Sequence, residues 1–291
     1  MNKRTWLGPA LAILSVMLWS NSAWIIKVLL EQGLAAADIA AVRGGIANAI
    51  LVLPILVFWC KGAKPENTQT ASILLVGISY ATANYLFIEA LSGASTPTVS
   101  VFFYGTPPVV IFLLSLRKQN LGKSLFALDA LAVAAILVLL PTFFFGRLGW
   151  STNKAALCCV GCGLAWSLAV AIKLPFRQRV TAFALGGVVI SSRSLFNNDE
   201  IWLINWAQWK LLFLLGTVAL GFPSCLLFMA LAVSKRAMPI MVIMSLQTVI
   251  ASALVFWIMG ENPGVATYAA GILTVAAIVV YTVAQARKSG G

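Results

Sequence analysis

The chain has 291 residues, of which 61% are hydrophobic and 10% charged, with twenty Lys and Arg against eight Asp and Glu and no His. A soluble domain carries roughly 25% charged residues and about half apolar ones, so a water-soluble globule is excluded. The net charge of +12 suggests a polyanion partner only until the positions of the basic residues are read.

A helix crosses ~30 Å of hydrocarbon with ~20 mostly apolar residues. Runs of that kind occupy 6–30, 38–60, 70–91, 96–116, 124–145, 154–174, 180–197, 209–233, 237–259 and 265–285. They are apolar on all faces, unlike the alternating strands of a membrane barrel. The expectation is an all-α integral membrane protein of about ten transmembrane helices, with little chain left for a soluble domain. The first run is far longer than a signal-peptide core and reads as a retained span.

Taken in chain order, span one centres on "LWSNSAWIIK", with Trp19, Asn21 and Trp24 at depth and Lys27 towards its far end. Span two opens on "AAVRGG", which places Arg43 and the pair Gly44-Gly45 early in the membrane. Span three carries Tyr80 and Asn84 near its middle and Glu89 near its outer end. Ionisable residues inside spans are costly and default to functional roles. If these ends adjoin, Glu89 pairs with Arg43 or Lys27, either as an outer gate or as a static ion pair. Span four holds Tyr104 and Pro107-Pro108; two prolines remove two donors and are expected to break or kink the helix. The freed carbonyls must then face protein, water or ligand. Asp129 in span five either carries protons or snorkels to Lys123 or Arg117.

Span six repeats the opening phrase as "AWSLAVAIK", with Trp166 at depth. The nearby "CCVGC" puts Cys159 and Cys162 on one helix face. With no His to complete a metal site, small packing residues are the better reading, and no metal or other cofactor is expected. Span seven is the shortest, and the placement of Arg193 at its end is open. Span eight carries Pro223 and Ser224, and span nine carries Met244, Gln247 and Thr248 at mid-depth. Gly260-Glu261-Asn262-Pro263 reads as a helix stop followed by a cap and a first-turn proline, a structural role.

Charge sets the orientation. Lys3, Arg4, Lys61, Lys64, Arg117, Lys118, Lys123, Lys173, Arg177, Arg179, Lys235, Arg236, Arg287 and Lys288, fourteen of the twenty basic residues, lie on alternate loops and at both termini. The opposite loops hold Glu31, Asp38, Asp199, Glu200 and Glu261, with Arg147 as the main exception. Basic flanks mark the cytoplasmic side. Both termini are therefore expected inside, as an even number of spans requires, and no nucleic-acid partner is implied. Trp6, Trp59, Trp150, Trp202, Trp206 and Trp257 lie near span ends and read as an interfacial belt.

The phrase around Trp19 and Trp166 is not the only repetition. Ala90-Leu91 in "FIEALSGASTPT" is matched by Ala230-Leu231 in "LFMALAVSKRAMP", each followed by a tight turn and a proline, Pro97 or Pro239. Two five-span units, 1–146 and 147–291, explain both repetitions. Because five is odd, the second unit enters the membrane inverted, a plan common among secondary transporters.

In the order "LWSNSAWIIK", "AAVRGG", "ALSGAS", "AWSLAVAIK", "MALAVSKRAMP" and "GEN", the whole chain resembles the drug/metabolite transporter superfamily, specifically its ten-span EamA-type members. The resemblance implies a secondary transporter, often an exporter of amino acids or other small metabolites, with a cavity between the two halves. The family often carries a Gly-Glu after span four as well, where this chain reads "LRKQN".

The expected substrate-binding residues are Trp19, Asn21, Tyr80, Asn84, Tyr104, Pro107, Trp166, Met244 and Gln247. Aromatic faces with a few amides suit an amphipathic organic solute; packing is the plain alternative for each ring. The expected gating or coupling residues are Lys27, Arg43, Glu89 and Asp129. There is no phosphate-binding loop for ATP, so the expected mechanism is alternating access driven by a gradient or by the substrate itself. A flippase of lipid or lipid-linked sugar is the alternative. A membrane-embedded enzyme would need a nucleophile with a base or a metal cluster, which the sequence does not offer. The expected location is the inner (plasma) membrane of a bacterium, and the partners are the bilayer and a small molecule. The glycine pairs Gly44-Gly45 and Gly186-Gly187 permit close helix contact, within one chain or between two.

Overall fold

The computed structural model describes residues 4–60, 69–116, 153–197, 204–234 and 237–262, together with Ile272 and Ala276. Span five, span ten apart from those two residues, Asp129, Lys123, Arg117 and Arg147 lie outside them. In hydrocarbon every backbone N–H and C=O needs an internal partner, which a helix supplies within one segment. The described residues are accordingly helical: α1 (Arg4–Trp19), α2 (Ser22–Glu31), α3 (Ala36–Cys60), α4 (Thr70–Leu91), α5 (Thr96–Leu116), α6 (Asn153–Ala171), α7 (Phe176–Asn197), α8 (Trp206–Gly216), α9 (Phe222–Val233), α10 (Met238–Met244) and α11 (Leu246–Met259). Six stretches among them are long and apolar enough to span a membrane: Trp6–Glu31, Thr70–Leu91, Thr96–Leu114, Lys154–Ala171, Trp206–Val233 and Met238–Met259. Helix α7 begins at Phe176, directly after Pro175, and so runs longer than hydropathy alone suggests.

The ends have local causes. Gly33 takes φ +87° and closes α2, its N–H bonding to the Leu30 carbonyl. Gly260 takes φ +70° and ends α11, as its place in the sequence suggested; in both, only glycine enters this region without strain. Asn205 and Gln208 form a reciprocal capping box at the start of α8, with bonds of 2.9 and 3.0 Å.

Three spans are interrupted. Span one divides at Ser20-Asn21, where Ser20 Oγ donates to the Val16 carbonyl at 2.7 Å. The Asn21 amide donates to the Met17 and Leu18 carbonyls. Span nine divides at Ser245, whose hydroxyl donates to the Val242 carbonyl. Span eight widens into a π-helical turn over Thr217–Gly221. Pro223 has no N–H to offer the Ala219 carbonyl, and Ser22 Oγ from α2 donates to that oxygen instead, at 2.7 Å. Ser15 of α1 similarly donates to the Pro223 carbonyl. Of the expected break or kink at Pro107-Pro108, the break is corrected, since α5 runs as one helix through both prolines. Proline's fixed φ is compatible with a helix, and its missing bonds are tolerated in a packed span.

Early helices pack mainly on late ones: α4 on α6 and α7, α3 on α7, α5 on α6 and α11, and α1 on α9. Small residues set these distances. A Cβ at Gly77 of α4 would lie 2.7 Å from the Ala182 carbonyl of α7, and one at Gly186 would strike the Gly77 carbonyl. Gly44 faces Gly187 across α3 and α7, so both glycine pairs serve contacts within the chain. The outer surface is apolar, with Leu157, Phe213, Trp206 and Trp257 among its exposed side chains, as a lipid-facing surface should be.

At Gly163 of α6, a Cβ would meet the Phe102 carbonyl and, at 2.6 Å, Thr106 Oγ1. Gly163→Val is therefore expected to lose about 1–3 kcal/mol to overpacking against backbone. Gly161→Ala, whose added carbon meets only the movable end of Leu86, should cost much less. Melting temperatures of the two purified variants in one detergent check the contrast.

Candidate functional site

The centre of the bundle is a continuous cluster of rings. Trp19 at the end of α1 and Trp166 of α6, one from each copy of the repeated phrase, meet edge to face at 5.5 Å between centroids. Trp166 also lies edge-on to Tyr80 of α4 at 5.6 Å and stacks on Phe103 of α5 at 5.4 Å. Tyr104 joins Trp19, Phe87 and Phe103. Phe183 of α7 lies 3.8 Å from Tyr80 and extends the cluster to Phe228 of α9. Trp19, Tyr80, Tyr104 and Trp166 are all 3% exposed or less.

Polar atoms thread this cluster. Gln247 Nε2, just past the break in span nine, donates to the Tyr104 hydroxyl at 2.6 Å. The Tyr80 hydroxyl lies 3.4 Å from Ser224 Oγ, at the limit of hydrogen bonding. Asn84 Nδ2 donates to its own helix at the Tyr80 carbonyl, which turns its Oδ1 towards α3, where Arg43 Nη2 donates to it. Arg43, Tyr80, Asn84, Tyr104 and Gln247 thus join four helices around the rings. The indole Nε1 of Trp166 and Oε1 of Gln247 are buried without a partner among the described residues.

Below the rings is a cavity of about 10 Å³ lined by Val76, Tyr80, Trp166, Val170, Arg179 and Phe183, among others. That volume holds about one water, whereas small-molecule sites measure roughly 300–1,000 Å³. Arg179 was assigned by sequence to a cytoplasmic loop. It is buried in the first turn of α7, where its guanidinium donates to the Leu174 and Ile172 carbonyls at the end of α6, a favourable place for a cation.

The remaining sequence candidates fall elsewhere. Asn21 is committed to its own helix break and to Trp24, whose Nε1 donates to it at 3.2 Å. Met244 and Pro107 are buried, the first at the end of α10 and the second within α5. The expected pairing of Glu89 with Arg43 or Lys27 is corrected. Glu89 pairs with Lys154 at the start of α6, and Lys27 with Glu261 at 2.6 Å. Glu261 also accepts from Thr96 N at 3.0 Å and Thr96 Oγ1 at 3.2 Å, capping α5. Glu261 therefore ties α2, α5 and the turn after α11 together, a role beyond the local turn that its sequence position suggested. Cys158, Cys159 and Cys162 are buried free thiols. Trp6, Trp206 and Trp257 are exposed at helix ends; the side chains of Trp59, Trp150 and Trp202 lie outside the described residues, as does that of Arg193.

Sequence reasoning passed over Phe87, Phe103, Phe183 and Phe228, because a phenylalanine in a span carries no polar mark to separate a ring facing the centre from one facing lipid.

Residues 6–141 match the EamA-like transporter family. No curated protein matches the chain. A crystal structure of a protein 17% identical in sequence covers 98% of this chain and 99% of its own, with a TM-score of 0.67. At that identity the likeness shows a common fold alone.

Proposed function

We propose that this chain, whose residues 6–141 match the EamA-like transporter family, is a membrane transporter that moves small organic metabolites by alternating access around its central aromatic cluster. The observation that carries the reading is the meeting of Trp19 and Trp166, one from each copy of the phrase, with Tyr80 and Tyr104 beside a small cavity. In a polytopic membrane protein such a centre suits an amphipathic solute of the amino-acid or metabolite class. The breaks in span one, next to Trp19, and in span nine, next to Gln247, support it, since transporter sites sit where helices are discontinuous.

On the orientation read from charge, Lys27–Glu261 and Glu89–Lys154 lie at the outer face, and the cavity beside Arg179 lies on the cytoplasmic side of the rings. This arrangement supports a state closed to the outside, with the two ion pairs acting as an outer latch and the solute entering from within. The direction fits export from a bacterial cytoplasm across the inner membrane. Ten spans in two inverted units of five, 1–146 and 147–291, with both termini inside, complete the reading.

Thermal stabilisation of the purified chain by a panel of amino acids, amines, nucleotides and sugar phosphates tests it. At least one solute is expected to raise Tm, and Trp19→Ala and Gln247→Ala are expected to weaken that response tenfold or more without unfolding the protein. Stabilisation by lipids alone, with no solute active, would sink the metabolite reading and favour flipping of a lipid.

A further inference from the structure

Arg43 is the most completely buried charged residue among the described residues, at 1% exposure. A guanidinium offers five N–H donors and stays protonated. Here Nη2 donates to Asn84 Oδ1, while Nε and Nη1 have no partner, and Arg43 forms no ion pair among the described residues. Arg179 shows the contrast, because the same kind of group in the same bundle spends its donors on helix-end carbonyls. A buried charge left without a counter-charge is strongly unfavourable, and a purely structural arginine would be expected to use its donors as Arg179 does. Asn84, which holds Arg43 Nη2, bonds the Tyr80 carbonyl through its own Nδ2, and this ties Arg43 to the central cluster. Beside Tyr80 and Trp19, the Trp166 indole presents a further buried donor without a partner.

Two unpaired donors on one fixed, buried positive charge ask for an oxyanion. The planar guanidinium fork matches carboxylate and phosphate oxygens. The adjoining rings suit an apolar body. Resting on the transporter reading above, we infer that Arg43 is the anchor for the anionic group of the solute, a carboxylate or a phosphate, with Trp166 Nε1 as a second donor. The transported class is then small amphipathic organic anions or zwitterions rather than amines or neutral solutes. Asn84 positions the anchor, since its Oδ1 holds Nη2 and leaves the rest of the guanidinium free.

The test uses the full chain in detergent and probes on one ring frame: phenylacetate, L-phenylalanine, phenyl phosphate, and the amides of the two acids. At least one acid is expected to bind, by quenching of tryptophan fluorescence, tenfold or more tighter than its amide. Arg43→Gln should erase that difference and Arg43→Lys should retain part of it. Preference for phenyl phosphate over both carboxylates would assign the phosphate form of the anion. Equal binding of acid and amide, or a preference that survives Arg43→Gln, overturns the anchor while leaving transport itself intact.

Should none of these probes bind, the ligand-free melting temperature decides. Removing an uncompensated charge by Arg43→Gln is expected to leave Tm equal to wild type or above it. A fall as large as that of Asn84→Ala would make Arg43 a structural brace and overturn the inference. Flux of a bound acid through proteoliposomes is scored separately: binding without flux counts against transport, not against the anchor.

Discussion

Trp166→Ala is expected to lower the stability of the folded chain by about 3–5 kcal/mol, the range for emptying a large aromatic site in a packed core. The indole is 1% exposed and touches Trp19, Tyr80 and Phe103, so its removal takes away three ring contacts at once. The neighbours cannot all collapse inward, because α6 is already held against the backbone of α5 at Gly163. Equilibrium unfolding in mixed micelles measures the loss. Trp166→Phe keeps a ring and removes only the indole nitrogen and some volume, and should recover most of the stability. If alanine and phenylalanine cost the same, the loss lies in the Nε1 group and not in packing.

The second large effect is expected at Glu261. This carboxylate holds Lys27 Nζ, Thr96 N and Thr96 Oγ1 together. Glu261→Gln keeps the shape and removes the charge, weakening a charge-assisted bond and a helix cap whose combined contribution is about 1–2 kcal/mol. The side chains of the Lys27 pair are only 17% and 21% exposed, so solvent screens them less than a surface pair. A shift of that size moves a two-state equilibrium roughly 5- to 30-fold. Cys158 lies one turn beyond Lys154 on α6 and is buried beside the Lys154–Glu89 pair, the other half of the proposed latch. With the other cysteines replaced by serine, labelling of Cys158 by an impermeant maleimide from the outer side should accelerate in Glu261→Gln by about that factor. An unchanged rate would remove Glu261 from the latch and leave it as a cap for α5.

Hydropathy was enough to locate the six described stretches that are long and apolar enough to span, because the demand for apolar length is additive along the chain. Of the residues chosen for lying near span centres, Trp19, Tyr80, Asn84, Tyr104, Trp166 and Gln247 join one network of rings and hydrogen bonds, while Asn21 is committed to its own helix break. Azimuth was not legible. Glu89 lies five residues beyond Asn84, about 140° further round the helix at ~100° per residue. Asn84 faces Arg43 while Glu89 faces Lys154, and nothing in an evenly apolar span announces which way its few polar residues turn. The helix interruptions were half legible. Pro223 marks the π-helical turn, but the prolines of α5 stay inside one helix while spans one and nine divide at serine and asparagine. Those side chains satisfy the loosened carbonyls themselves, and they are common enough in spans that composition does not single them out.

The seam between α4 and α7 has a mechanical consequence. At Gly77 and Gly186 the two helices touch backbone to backbone, with no side chains between them. A contact made of interlocked leucines must withdraw and reset its rotamers before it can slide; a bare seam has none to reset. On the alternating-access proposal such a seam is expected to serve as a pivot bearing: tilting about it needs only small changes in angle, and a close backbone contact leaves little room for water as the ends to either side swing apart.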